Sequence, residues 1–82
     1  MQEIERNLGT QPLEGLMEQF GLENHDLVEA STEQITHKMV TRGRKGRRLT
    51  PNVQKKLTNA LNAAVKGREG VEELAVSDLF NY

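Results

Sequence analysis

The sequence has no cysteine and no tryptophan. Without a thiol there is no disulfide scaffold, no thiolate zinc site and no cysteine nucleophile. Aromatics stop at two phenylalanines and one tyrosine. None of them stands inside the basic part of the chain, which argues against single-stranded nucleic acid stacked on an aromatic platform. No apolar run approaches the roughly 18 residues that a membrane span needs. The first ten residues, MQEIERNLGT, hold no apolar stretch of the secretory type. A soluble, cytoplasmic protein without a membrane partner is expected.

Chemistry-bearing motifs are equally scarce. The two histidines, His25 and His37, stand 12 apart, which matches no metal-ligand spacing, so no metal is expected. Ser31 and Ser77 lack the glycines of a nucleophile elbow. GRKGRRLT at 43–50 has the lysine and glycine of a phosphate loop but not its spacing, and no strand precedes it. An enzyme is not expected, and neither a cofactor nor a small-molecule effector is implied. The 82 residues allow one small domain, 1–82. Residues 1–10 read as a frayed leading segment.

One absence is local. From residue 34 to residue 68 there is not a single carboxylate, although the chain has 12. The formal net charge of −1 therefore hides three blocks. Residues 1–33 carry eight acids and one base, a net of −7. Residues 34–68 carry ten bases, a net of +10, and residues 69–82 carry four acids. Like charges held this close repel, so the compact state carries a cost. A surface for a polyanion gives that cost a purpose, nucleic acid phosphates being the simplest case. A solvated basic face balanced by neighbouring acids is the alternative.

Helical periodicity runs through the rest. Pro12 suits the first position of a helix, Leu13, Leu16, Met17 and Phe20 make an apolar stripe, and Gly21 stops it. Asn24 reads as the cap of a second helix through Ala30, with Leu27 and Val28 inward. Ser31 and Gln34 form a capping-box pattern that predicts a third helix from Ser31 to about Arg42. Its inward side would be Ile35, Met39 and Val40. Two glycines and a run of cations make 42–48, RGRKGRR, a loop. Thr50-Pro51 restarts a fourth helix on Val53, Leu57, Ala60, Leu61 and Ala64. A polar loop at 66–70 leads to a short amphipathic turn whose anchors are Val71, Leu74, Val76, Leu79 and Phe80. No segment alternates as a half-buried strand does. The fold class is all-α, a compact bundle of four to five short helices.

Three uses of the basic loop stand side by side. It can hold phosphates as a wing between two helices, since arginine forks suit phosphate oxygens. Arg42-Gly43-Arg44 also begins like a minor-groove hook, with Lys45 where the hook has proline. The third use is a plain tether.

Helices two and three, with a turn near Ser31, have the lengths of a helix-turn-helix. GLENHDLVEA at 21–30, ITHKMVTRG at 35–43, PNVQKKLTNALN at 51–62 and VSDLFNY at 76–82 resemble the Cro/phage-repressor type (XRE-like) helix-turn-helix family. The resemblance covers about residues 12–82 and implies a lambda-repressor-like DNA-binding domain. Ala30-Ser31-Thr32 stands where the family has its glycine, in a turn expected to be one residue short. The likeness implies that helix three reads base edges with Thr32, Glu33, Gln34, His37 and Lys38. It also implies phosphate contacts from Thr41, Arg42, Arg44, Lys45, Arg47 and Arg48, with Thr50 and Asn52 at the start of helix four. The expected function is a DNA-binding transcriptional regulator acting on duplex DNA. A homodimer would pair two half-sites through the acidic first helix or the ending Leu79-Phe80-Asn81-Tyr82. The alternative is a protein-interaction module that keeps the fold and docks through its charge asymmetry.

Overall fold

The computed structural model describes residues 9–68, 70 and 72–80. Five helices follow one another: α1 (Pro12–Phe20), α2 (Asn24–Ala30), α3 (His37–Lys45), α4 (Pro51–Ala64) and α5 (Val76–Leu79). No strand occurs among the described residues. The longest helix, α4, packs against α2, α3 and α5, while α1 closes the bundle against α3 and α5.

α1 follows its sequence signals. Pro12 sits in the first turn, and Leu13 and Met17 are fully buried. Gly21 takes a left-handed φ of +69° and ends the helix. Its N–H donates to the Glu18 carbonyl at 3.1 Å, and that of Leu22 donates to the Met17 carbonyl at 2.8 Å. This pair of bonds is the Schellman arrangement, and it satisfies carbonyls the helix leaves open.

α2 starts with Glu23, not Asn24, in the capping position. The Asp26 carboxylate accepts the Glu23 backbone N–H at 2.7 Å. Asn24 is thereby free to reach across to α3, a role described below.

The third helix departs most from expectation. The Ser31 hydroxyl does not cap a helix: it accepts from the Glu33 N–H at 3.0 Å and donates to the Glu33 carbonyl at 2.7 Å. Such a local side-chain bond competes with helix formation. Residues 31–36 form a turn longer than the short one expected. Thr36 is the true cap, its hydroxyl accepting from the Met39 N–H at 3.1 Å. Ile35 just before the cap and Val40 in the next turn are both in the core. Their spacing is that of a hydrophobic staple, which fixes where the chain enters the helix.

α3 also runs on through Gly43 to Lys45, where a loop was expected. Gly43 is buried, and a Cβ there would meet Leu57 at 3.0 Å, Leu13 at 3.3 Å and Leu49 at 3.4 Å. Close packing on a bare backbone thus outweighs the glycine's poor helix propensity. Arg42, Arg44 and Lys45 fall in the last turn, where cations favour the helix dipole.

Gly46 ends α3 with φ +92°, and a Cβ on it would overlap the Gly9 backbone. The Gly9 backbone therefore lies directly against Gly46. Gln11, 2 % exposed, donates its N–H to the Arg44 carbonyl at 3.4 Å and its side chain to the Gly9 carbonyl at 2.9 Å. The rest of the expected leading segment, 1–8, lies outside the described residues.

Thr50 caps α4 as expected, its hydroxyl accepting from the Val53 N–H at 3.3 Å, with Pro51 first in the helix. Leu57, Ala60 and Leu61 are fully buried. Asn62 ties the tail to α4, donating to the Leu74 carbonyl at 2.9 Å and accepting the Leu74 N–H at 2.8 Å. Leu79 and Phe80 are buried in the chain's own core, so these two residues of the ending offer no open surface to a second copy. Val71, Asn81 and Tyr82 lie outside the described residues. No helix is long and apolar enough, among the described residues, to cross a membrane.

Candidate nucleic-acid interface

The start of α3 at His37 reassigns its exposed face. Lys38, Thr41, Arg42 and Lys45 recur at the i, i+3, i+4, i+7 spacing of one helical stripe. That stripe is about 10.5 Å long at 1.5 Å per residue. Gly46 turns the chain back on itself, the Arg47 N–H donating to the Arg42 carbonyl at 2.9 Å. Arg47, Arg48 and Leu49 consequently form a second wall. Together the two walls line an open groove of about 610 Å³. Its lining holds five cations and no carboxylate. The side chains of Lys38, Arg42, Lys45 and Arg48 make no ion pair with a described carboxylate. An adjoining hollow continues past Arg48 and Leu49 to Thr50, Pro51 and Gln54.

Of the expected phosphate ligands, the groove brings together Thr41, Arg42, Lys45, Arg47 and Arg48, and it adds Lys38. Leu49 is the lining residue that sequence reasoning did not name. Thr50 lies in the adjoining hollow with its hydroxyl engaged as a helix cap. Asn52 is exposed in the first turn of α4 and lines neither.

Arg44 points the other way. Its Nε donates to the Glu14 carboxylate of α1, and its Nη1 donates to the Asn24 side-chain oxygen of α2 at 2.8 Å. Asn24 in turn donates to the Thr41 hydroxyl at 2.7 Å. This chain of bonds ties α1 and α2 to the inner side of α3 and holds Thr41 at the groove. The Arg44 hydrogen bond and charge hold the Glu14 carboxyl below its ordinary 4.5 against a smaller opposing effect of burial.

The expected base-reading set is divided. His37 and Lys38 are exposed in the first turn of α3. Thr32, Glu33 and Gln34 are exposed in the preceding turn and not on the helix. The Glu33 carboxylate accepts from the Asn59 amide of α4 at 2.9 Å.

The remaining bases of the 34–68 block are scattered. Lys55 and Lys56 ride on α4. Lys66 shares a hollow with Glu72 and Glu73. Arg68 stands 5.8 Å over the Phe20 ring and donates to the Phe20 carbonyl at 2.8 Å. No cluster of three potential metal ligands occurs among the described residues.

No family model, curated protein or solved structure matches the chain.

Proposed function

We propose that the protein binds duplex DNA by seating phosphates in the groove between α3 and Arg47–Leu49. One observation carries this reading. Five cations are gathered on one helical stripe and its facing wall with no carboxylate among them. Placing like charges together costs free energy in the free protein, and a polyanion recovers it by releasing condensed counterions. No aromatic side chain lines the groove, so stacked single strands have nothing to stack on. Lys38, Arg42, Lys45, Arg47 and Arg48 serve as phosphate ligands. His37, exposed at the start of α3, and Thr41, half-buried one turn on, are the residues to read base edges if the helix enters a major groove. A role in transcriptional regulation, with two copies on paired half-sites, is the use to which such a small DNA-binding head is best suited.

Fluorescence anisotropy with a labelled duplex of mixed sequence tests this. Five phosphate contacts give a slope of log K against log salt of about −4.5. Between about 50 and 200 mM salt the affinity then falls on the order of 500-fold. A slope near zero, or tighter binding to the matching single strand than to the duplex, defeats the duplex reading. Absence of DNA binding together with salt-sensitive self-association points instead to a protein-docking module.

A further inference from the structure

A second hollow of about 300 Å³ lies behind the groove, lined by Thr10, Glu14, Asn24, Thr41, Arg44 and Lys45. It shares Thr41 and Lys45 with the groove, so the two concavities meet at the same edge of α3. Arg44 and Lys45 supply cations there, and the Asn24 amide and two threonine hydroxyls supply polar groups. These are the groups that hold a phosphate elsewhere in proteins. One carboxylate, Glu14, is present, and it occupies Arg44.

We propose that this hollow is a second phosphate seat that the protein keeps filled with its own Glu14 carboxylate, withholding Arg44 from DNA. The inference rests on the duplex-binding reading above. Geometry supports the withholding. Arg44 Nε is committed to Glu14 and Nη1 to Asn24, so its fork faces inward across the α1–α2 side of α3. The side chains of the pair are only partly covered, 23 % exposed for Arg44 and 30 % for Glu14. Solvent therefore reaches both partners, and an exchange of one anion for another needs no opening of the core. A carboxylate and a phosphate present the same kind of acceptor oxygens to a guanidinium. With Glu14 seated, a negative charge also stands beside Lys45 at the edge of the groove and weakens capture of any polyanion. The consequence is a lower, more selective affinity, since phosphate contacts carry no sequence information.

The test compares the intact chain with Glu14→Gln, Glu14→Ala and Arg44→Gln by duplex anisotropy across a salt series. Glu14→Gln removes the charge and keeps an acceptor, and Glu14→Ala removes both. Each is expected to tighten binding, about five- to tenfold for Glu14→Ala, and to steepen the salt slope by about one. Arg44→Gln alone is expected to leave the slope of the intact chain unchanged. Combined with Glu14→Ala it is expected to abolish the added slope, because that added contact is Arg44's own. Equal slopes for the intact chain and both Glu14 variants overturn the proposal. So does a slope reduced by one in Arg44→Gln alone, which would mean that Arg44 already holds a phosphate. Thermal melts on the same samples separate folding from binding. Glu14 variants that are unfolded, or folded but weaker binders, show Glu14 to be a structural support of α3 and also overturn it. An intact chain with no salt-dependent binding removes the duplex reading and this inference together. Binding by the intact chain with unchanged slopes in the variants removes this inference alone.

Discussion

The outer and inner sides of α3 carry the same residue types to opposite ends. Outside, Lys38, Arg42 and Lys45 line an open groove beside Arg48 and make no ion pair with a described carboxylate. Inside, Val40 and Gly43 are buried and Arg44 is held by Glu14 and Asn24. Arg42, Gly43, Arg44 and Lys45 are consecutive, yet they divide between the two sides. A block of charge along a chain is thus not yet a surface. The 100° turn per residue sorts it, sending i, i+3, i+4 and i+7 one way and the residues between them another. The bases farther along the block, on α4 and near Phe20, are farther still from any common face.

The largest expected effect comes from inverting the outer side. Lys38→Glu, Arg42→Glu and Lys45→Glu together replace three phosphate contacts with three repulsions. Duplex affinity should fall by about a thousandfold or more at moderate salt. The melting temperature should change little, because relief of repulsion among exposed cations offsets the loss of Arg42 and Lys45 from the last turn of α3. Anisotropy and a thermal melt on one sample read both. Comparable losses of binding and stability would mean that the two sides are not separable.

The inner side is broken by volume. Gly43→Val places methyl groups where a Cβ alone stands 3.0 Å from Leu57 and 3.3 Å from Leu13. Overpacking of this kind costs about 1–3 kcal/mol, and β-branching in a helix adds slightly to it. Urea denaturation should show that loss. Duplex affinity measured well below the melt should change by less than about twofold if the outer stripe keeps its place.

How much of this was legible in the sequence depends on the element. α1 and α4 were legible because proline and apolar stripe agree, joined by a terminal glycine in α1 and by the capping Thr50 in α4. The all-α class followed from the same periodicity. α3 was misplaced at both ends. At its start two caps compete, Ser31 with Gln34 and Thr36 with Met39. What decides between them is Ile35 and Val40 closing on the core, a tertiary event. At its end the glycine and the cations of 42–45 argue for a loop. The leucines that need a bare backbone at Gly43 come from Leu13, Leu49 and Leu57, far apart in sequence. The basic character of the candidate site was legible from charge, since Arg42, Lys45, Arg47 and Arg48 all line the groove. The inward turn of Arg44 was not, because its partners Glu14 and Asn24 lie 30 and 20 residues away.

A smaller effect separates groove cations from the scattered ones. Lys38→Ala should lower the salt slope by about one and weaken all duplexes a few-fold. Lys55→Ala, exposed on α4 and outside the groove, should leave the slope within error. Equal losses from the two would spread the interface over α4 and dissolve the contrast between the stripe and the rest of the basic block.

The smallest expected effect is on stability against pH, and it belongs to the inner side alone. Arg44 holds the Glu14 carboxyl below its ordinary 4.5, so the folded state binds this proton less readily than the unfolded one. The stabilisation is therefore complete above about pH 4.5 and is lost as pH falls through the lower, folded value. Glu14→Gln has no such proton to bind. Its stability should be lower than that of the intact chain at neutral pH. The difference should hold as urea midpoints are followed from pH 6 to about pH 4.5 and shrink below that, down to pH 3. A difference that stays constant over that range would mean that the Glu14–Arg44 pair does not couple α1 to α3 through charge. Shape alone would then hold the inner side, and the contrast between the two sides of α3 would be one of packing against exposure, with no ionic component.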